Sequence, residues 1–359
     1  MTAKIDILNF AREELAEDLL TNLGVEKYRA SQLMQWLYRA RATDFGVMTN
    51  ISRPVKEKLT ERYRIYRPAV HTVQLSNDGT RKFLFELDDG SKVETVLIRQ
   101  PKRYTLCVSS QVGCAIGCKF CRTGTMGLKR HLQTHEILGQ FLAVQDKIEE
   151  LKRDLSPAEH PPEAIPQQFE NIVFMGMGEP LHNYENVVRA VRLLNDELGF
   201  NFSKRKITVS TSGLVPALEK FGETKVPANL AISLNATTNE VRDRLIPINK
   251  KWPLEKLLET LRNFPLGGRQ RITIEYVMLR DVNDTEADMK RLPKLLQGIP
   301  SKVNLIPYND NTGLGFFGPH RENLDRWQSY LLSQNMTSTI RWSKGQDISA
   351  ACGQLATAS

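Results

Sequence analysis

No stretch of this 359-residue chain approaches the run of about 18 apolar residues that a membrane span needs, so no membrane partner is expected. The start is equally unsuited to export. Met1 to Leu19 carries Asp6, Glu13, Glu14, Glu17 and Asp18 with no continuous apolar core, which argues against a signal peptide and predicts a cytoplasmic protein. Cysteine is scarce and odd in number: there are five, four of them between positions 107 and 121. A secreted disulfide framework would spread them, so the clustering points to metal or redox chemistry in a reducing compartment. Acidic residues are missing between Glu94 and Glu136. That interval holds Arg99, Lys102, Arg103, Lys119, Arg122, Lys129 and Arg130, with His131 and His135 beside them. Together with a net charge of +8, it predicts an anionic partner such as nucleic acid, because Lys and Arg gain affinity by releasing counterions from phosphates. A bland basic surface, the alternative, is usually salted with acids. Repeats and low-complexity tracts are also absent, and 41% hydrophobic against 25% charged residues leaves an ordinary globular composition.

What is present falls into four segments. Residues 1–68 show helical amphipathic spacing, as in Leu15, Leu19, Leu20 and Leu23, then Leu33, Trp36 and Leu37 around the turn at Gly24. This reads as a small helical domain, serving either as an RNA-docking module or as a structural cap. Residues 69–100 alternate like strands and are broken by Asn77-Asp78-Gly79 and Asp88-Asp89-Gly90, two hairpin signals,. Residues 101–345 change rhythm to strand then helix, with candidate strands at 104–110, 170–175, 206–212, 228–234, 271–278 and 302–307. Helices are predicted between them at 133–152, 184–197, 214–222, 253–264 and 284–296. Repeated strand–helix units imply parallel strands with right-handed crossovers. Six units are too few for a closed eight-stranded barrel, so the fold class is α/β with a partial, open (β/α)6 barrel. The proline-rich run 156–168 reads as a loop insertion,. Residues 346–359 form a C-terminal segment carrying Cys352.

The chemistry is concentrated at Cys114, Cys118 and Cys121, spaced C-x3-C-x2-C directly after a predicted strand. Three thiolates on one loop can hold three irons of a cubane cluster and leave the fourth open to a ligand. Structural zinc is the rival reading, with His131 and His135 as candidate further ligands. Zinc favours four closed ligands, usually in two Cys pairs, and no second pair exists here. Next comes Met175-Gly176-Met177-Gly178-Glu179-Pro180 at the end of a strand. Glycines there let a ligand approach the backbone, and a carboxylate can take a cationic ammonium. Alone, the run could equally be an ordinary strand-to-helix turn. Ser210-Thr211-Ser212-Gly213, Ser233-Leu234-Asn235 and Pro307-Tyr308-Asn309 also sit at strand ends, the mouth where α/β folds bind ligands.

The cysteine spacing, with Phe120 before the last Cys, resembles the signature of radical S-adenosylmethionine enzymes. That resemblance implies a [4Fe-4S] cluster on Cys114, Cys118 and Cys121, with S-adenosylmethionine as cofactor. It implies Gly178, Glu179, Ser210, Ser233, Leu234, Asn235 and Asn309 as cofactor contacts, with Glu179 on the methionine amino group. The blocks SSQVGC, GMGEP, STSG, PINKK and AACGQL, in that order, closely resemble the bacterial RNA adenine-C2 methyltransferases. The likeness runs from about residue 10 to residue 356.

This second resemblance implies methylation of an adenine in 23S rRNA, at the peptidyl-transferase centre, and of one in the anticodon loop of some tRNAs. It implies a reductant protein such as flavodoxin or ferredoxin as partner, and a monomer. C2 of adenine is electron-poor and does not attack an electrophilic methyl group, so the polarity must be inverted. By the resemblance, Cys352 first takes a methyl group from one cofactor molecule. A deoxyadenosyl radical from a second then removes a hydrogen from that S-methyl group, and the carbon radical adds to C2. After loss of the C2 proton, Cys107 attacks Cys352, frees the product and leaves a Cys107–Cys352 disulfide. An ordinary thiol near pKa 8.5 is only about 3% thiolate at neutral pH, so both cysteines are expected in electropositive, accessible positions. Glu94 matches a family glutamate regarded as a proton acceptor or RNA contact; otherwise it is a solvent-facing strand carboxylate. Asn235 stands where some relatives carry His. Two rivals remain: the branch that methylates C8 of the same ribosomal adenine, which typically reads GMGEA and STIG, and a zinc-stabilised RNA-binding protein without activity.

Overall fold

The computed structural model describes residues 4–101, 103–154, 169–310 and 313–357, and the predicted loop at 156–168 lies outside them. The N-terminal segment comprises β1 (Ile5–Asp6), α1 (Arg12–Leu23), α2 (Arg29–Met34), α3 (Arg53–Arg62) and β2 (Tyr63–Arg64), with β1 and β2 paired in parallel. Leu15, Leu19, Leu33 and Leu37 are fully buried, as their spacing predicts, whereas Leu20 is exposed. Arg62 closes this unit by a bidentate ion pair with Asp18, both bonds at 2.7 Å.

Strands β3 (Ala69–Leu75), β4 (Arg81–Glu86) and β5 (Lys92–Gln100) form the two predicted hairpins. They are continuous with the barrel sheet: β5 pairs antiparallel with β6 (Arg103–Cys107), the first barrel strand. A short hairpin of β7 (Gln111–Gly113) and β8 (Leu128–His131) brackets the cysteine loop, with α4 (Arg122–Thr125) inside it. The repeating units are α5 (Thr134–Asp154), β9 (Asn171–Phe174), α6 (Tyr184–Asn195), β10 (Ile207–Thr211), α7 (Val215–Glu223), β11 (Asn229–Ser233), α8 (Asn239–Leu245), α9 (Leu254–Arg262), β12 (Ile272–Met278), α10 (Glu286–Leu295) and β13 (Ser301–Pro307). A last helix, α11 (Arg321–Ser333), leads into β14 (Ser338–Ile340).

Among the described residues the main sheet has the order β14-β13-β12-β11-β10-β9-β6-β5-β4-β3. From β6 to β14 every pairing is parallel. The six predicted barrel strands are all present, and β14 extends them by a seventh too short to show in a hydrophobic pattern. Both ends of the sheet are open edges, which is the partial barrel expected. Strand β12 shows how the wall works. Ile272, Ile274, Tyr276 and Met278 are wholly buried, and Tyr276 packs on Trp327 of α11. The alternate residues Glu275 and Val277 line the interior cavity, as the period of two in a strand requires. No described helix is long and apolar enough to cross a membrane.

Candidate active site

The cavity at the carboxyl ends of the strands is lined by Cys114, Cys118 and Cys121 on one side and by Gly178, Glu179, Ser210, Ser233, Asn235 and Asn309 around it. Cys352 and Arg341 close it. Six of the seven predicted cofactor contacts therefore face one space. The seventh, Leu234, is fully buried with its N–H donated to Glu275 O at 3.0 Å, and it does not line the cavity.

The cysteine loop is held by backbone constraints. Gly113 has φ +77°, and a Cβ there would lie 1.8 Å from Gly127 O, so only glycine permits the turn into the loop. Cys114 N–H donates to Gly127 O at 2.8 Å, and Lys119 N–H to Leu245 O at 3.0 Å. Phe120 packs under the loop with Leu214, Leu245, Ile246 and Tyr308. Burial pushes all three thiols up, Cys114 to about 12, and for Cys114 and Cys118 the charges of neighbouring cysteines add to this. Three half-buried would-be anions crowded together call for a cation. Yet no group of three His, Cys, Asp or Glu among the described residues is arranged around a single metal ion. A cubane binds each thiolate to a different iron, so its ligands stand farther apart than those of one zinc ion. The two candidate zinc histidines are engaged elsewhere. His131 contacts Gln111 and stacks edge-on with His182, and His135 contacts Asn9.

Glu179 is buried, and burial raises its pKa. Its Oε1 accepts Leu181 N–H at 3.1 Å; its Oε2 accepts Ser212 N–H at 2.8 Å and Ser212 Oγ at 2.9 Å. A carboxylate offers about four lone-pair sites, so capacity remains for an incoming ammonium. Gly178 (φ +103°) packs against Gln111, where an added Cβ would lie 2.6 Å from Gln111 Cβ, so only glycine fits before Glu179,. Asn235 lies at φ +56° with its Oδ1 taken by Val277 N–H at 2.8 Å. Asn309 reaches the C-terminal segment, donating to Ser343 Oγ and accepting from Gln346 Nε2, each at 2.7 Å. These donors and carboxylates fit an iron–sulfur cluster carrying an amino-acid-bearing cofactor.

Cys107 ends β6 and is buried. It lines a second, smaller cavity together with Met175, Arg341 and Cys352, so Cys352 borders both spaces. Cys107 is buried and Cys352 half-buried, so burial works against the thiolate at both. Burial pushes Cys107 up to about 12, helped by the charge of Cys352 and opposed by Arg341. Burial raises Cys352 as well, again opposed by Arg341. The cation serving both thiols is thus Arg341, just beyond β14, and not the acid-free stretch. Part of that stretch is structural: Arg130 forms ion pairs with Asp89 at 2.7 Å and Glu136 at 2.8 Å. Glu94 lines neither cavity and is not solvent-facing. It is buried in an ion pair with Lys82 at 2.9 Å.

Three site residues escaped the sequence reading. Glu275 lines the main cavity; its Oε1 lies 3.7 Å from Arg341 and accepts Asn304 Nδ2, while its Oε2 has no hydrogen-bond partner. A lone carboxylate in the apolar run Ile272–Met278 was the available signal. Arg242 is wholly buried and donates to Ser212 O (2.6 Å), Leu234 O (3.1 Å) and Asn249 Oδ1 (2.9 Å). It therefore ties two cofactor loops together, and Asn249 explains part of the PINKK block. Arg341 carried no signal, because its neighbours come from distant elements.

Comparison with known proteins agrees with this geometry. Residues 5–65 match the ribosomal RNA large subunit methyltransferase N-terminal domain, and residues 108–292 match the radical SAM superfamily. The chain is 50% identical to the dual-specificity RNA methyltransferase RlmN of Geobacter sulfurreducens over 99% of its own length and 93% of the relative's. It is 49% identical to the enzyme of that name from Geotalea uraniireducens, covering 98% and 96%. The solved radical SAM methyltransferase from Sphaerobacter thermophilus superposes with a TM-score of 0.88 at 39% identity, covering 98% of this chain and 99% of that one. A partial barrel with a three-cysteine loop and a polar cavity at its strand ends, preceded by that N-terminal domain and matched at this identity over nearly its whole length, belongs to the dual-specificity RNA methyltransferase RlmN family of radical SAM enzymes.

Proposed function

We propose that the protein methylates C2 of adenine in 23S rRNA and in the anticodon loop of tRNA, with Cys352 as methyl carrier and Cys107 as the thiol that releases the product. The observation that supports this most is the position of Cys352, at the wall between the cluster cavity and the Cys107 cavity. When bound, the cluster and S-adenosylmethionine supply an electrophilic methyl group and radical chemistry at that cavity. Cys114, Cys118 and Cys121 hold the cluster. Glu179 takes the cofactor's ammonium, while Ser210, Ser233, Asn235 and Asn309 line the remainder of its site. Cys352 accepts the methyl group at sulfur and presents the methyl carbon to the base. Joining that carbon to C2 breaks one S-methyl C–H bond and the C2–H bond: the bound cofactor chemistry would take the hydrogen atom and the surplus electron, the C2 proton leaves to a base, and Cys107 as thiolate then attacks Cys352 Sγ. The new S–S bond forms as the carbon–sulfur bond breaks, and the departing carbon takes a proton to become the methyl product. Arg341 favours the thiolate form of both cysteines by charge. A reductant protein such as flavodoxin or ferredoxin serves as electron donor, and the resulting disulfide must be reduced before the next cycle. The N-terminal domain and the exposed Lys and Arg side chains are assigned to RNA docking, and the enzyme acts as a cytoplasmic monomer.

The test is an anaerobic reaction of cluster-loaded protein with S-adenosylmethionine, a reductant and unmodified ribosomal and transfer RNA fragments. Nucleoside mass spectrometry against C2 and C8 standards reads the product. 2-Methyladenosine is expected; 8-methyladenosine would move the protein to the C8 branch, and no product from an intact cluster would refute the RNA assignment.

A further inference from the structure

The segment carrying Cys352 is gripped from both sides by one buried ion pair. Lys82 on β4 and Glu94 on β5 meet at 2.9 Å, with exposures of 9% and 5%. Each holds the C-terminal backbone with its remaining valence. Lys82 Nζ donates to Ser349 O at 3.4 Å, three residues before Cys352. Glu94 Oε2 accepts Ala356 N–H at 2.9 Å, four residues after it. Between these grips the cluster loop makes two more contacts, Arg122 N–H to Gly353 O at 2.8 Å and Thr123 Oγ1 to Leu355 O at 2.6 Å.

A buried ion pair is weak evidence for stability, because desolvation offsets the attraction of the charges; its better-attested use is to specify one arrangement over others. Here the pair joins neighbouring strands that already share a full antiparallel ladder, so the sheet does not need it. The C-terminal segment does: residues 346–357 contain only a single short 3-10 turn, Gln346–Ile348. Both oxygens of Glu94 are engaged, one by Lys82 and one by Ala356 N–H.

We propose that Lys82–Glu94 is a clasp that sets the reach of Cys352, holding its sulfur at the boundary of the two cavities, and that Glu94 is a positioning residue. The functional meaning of the clasp rests on the reading of Cys352 as methyl carrier; its existence does not. Alkylation of the free Cys352 thiol by N-ethylmaleimide, quantified by peptide mass spectrometry on full-length cluster-loaded protein, tests it directly. Lys82→Met and Glu94→Ala are each expected to speed alkylation at Cys352 at least fivefold, with Cys107 alkylation and iron content unchanged. Lys82→Arg, which keeps donors for both Glu94 and Ser349 O, restores the slow rate. The Lys82→Glu/Glu94→Lys double substitution restores the charges but reverses the polarity of both grips, so it stays fast. Wild-type rates in both single truncations, or an equal rise at Cys107 that marks general loosening, would overturn the clasp. Failure of the carrier reading shows elsewhere, as normal RNA methylation by Cys352→Ala.

Discussion

Glu179→Gln exchanges one carboxylate oxygen for an amide NH2 at constant size. Leu181 N–H approaches one oxygen at 3.1 Å and Ser212 N–H the other at 2.8 Å. Whichever way the amide turns, its NH2 faces a buried backbone N–H and leaves that donor unpaired, at about 1–3 kcal/mol. This first loss is present with and without cofactor, so it lowers the melting temperature and leaves affinity alone. The second loss is the charge-assisted hydrogen bond to the cofactor's ammonium, about 1.5–3 kcal/mol. At 1.4 kcal/mol per decade, it weakens S-adenosylmethionine binding by roughly tenfold to 150-fold. Glu179 is 4% exposed, so salt screening does little to soften this. Anaerobic equilibrium dialysis against cluster-loaded wild type and variant, matched for iron, measures the difference. A variant that melts earlier yet binds the cofactor within twofold of wild type would reduce Glu179 to a loop brace and refute the ammonium assignment.

Cys352→Ala should abolish methyl loading on the protein, and Cys107→Ala should load normally yet accumulate an RNA–protein adduct; intact-mass and gel-shift measurements read both. Free turnover by the Cys107 variant would remove its resolving role. Arg242→Met strips donors from Ser212 O, Leu234 O and Asn249. Allowing for relief of the guanidinium's own desolvation, the loss should be about 2–4 kcal/mol in a denaturant titration, with cofactor affinity reduced as the two loops loosen. In the N-terminal domain, burial raises Asp6 from the usual carboxylate range to about 7, with Leu8 N–H and Arg64 opposing. The folded state therefore binds a proton that the unfolded state has released between about pH 4 and 7, and stability falls as pH rises through that window. Asp6→Asn keeps the cap to Leu8 N–H, so it should raise the melting temperature at pH 8 and leave it unchanged near pH 4. Equal shifts at both pH values would contradict this.

Local order was readable where chemistry or period is local. The strands around Val209 and Ile232 are apolar runs of the right length, and the hairpin at Asp88-Asp89-Gly90 needs only its own residues. The C-x3-C-x2-C spacing is legible for the same reason: Cys114, Cys118 and Cys121 lie within eight positions. Leu234 does not line the cavity that its neighbours Ser233 and Asn235 line, because a motif gives the neighbourhood of a ligand but not which side chain of a strand end faces it. Cys107 is buried rather than accessible, while Cys352 is half-buried at the cavity wall, and the cation beside both is Arg341 rather than the basic stretch. Local basic composition does not say which cation stands beside a buried sulfur.

The sequence by itself therefore determined the order of strand and helix, the open parallel barrel, the cysteine spacing and the family. These follow from spacing, periodicity and short-range steric rules that hold within one element. Only the tertiary structure decided that Arg341 serves both thiols, that Glu275 looks into the cofactor cavity, that Arg242 ties two cofactor loops, and that Lys82 and Glu94 grip the segment bearing Cys352. Those contacts join different elements, from the 8 positions between Leu234 and Arg242 to the 267 between Lys82 and Ser349. Burial and Coulomb interaction depend on distance through the folded protein, and only packing sets that distance.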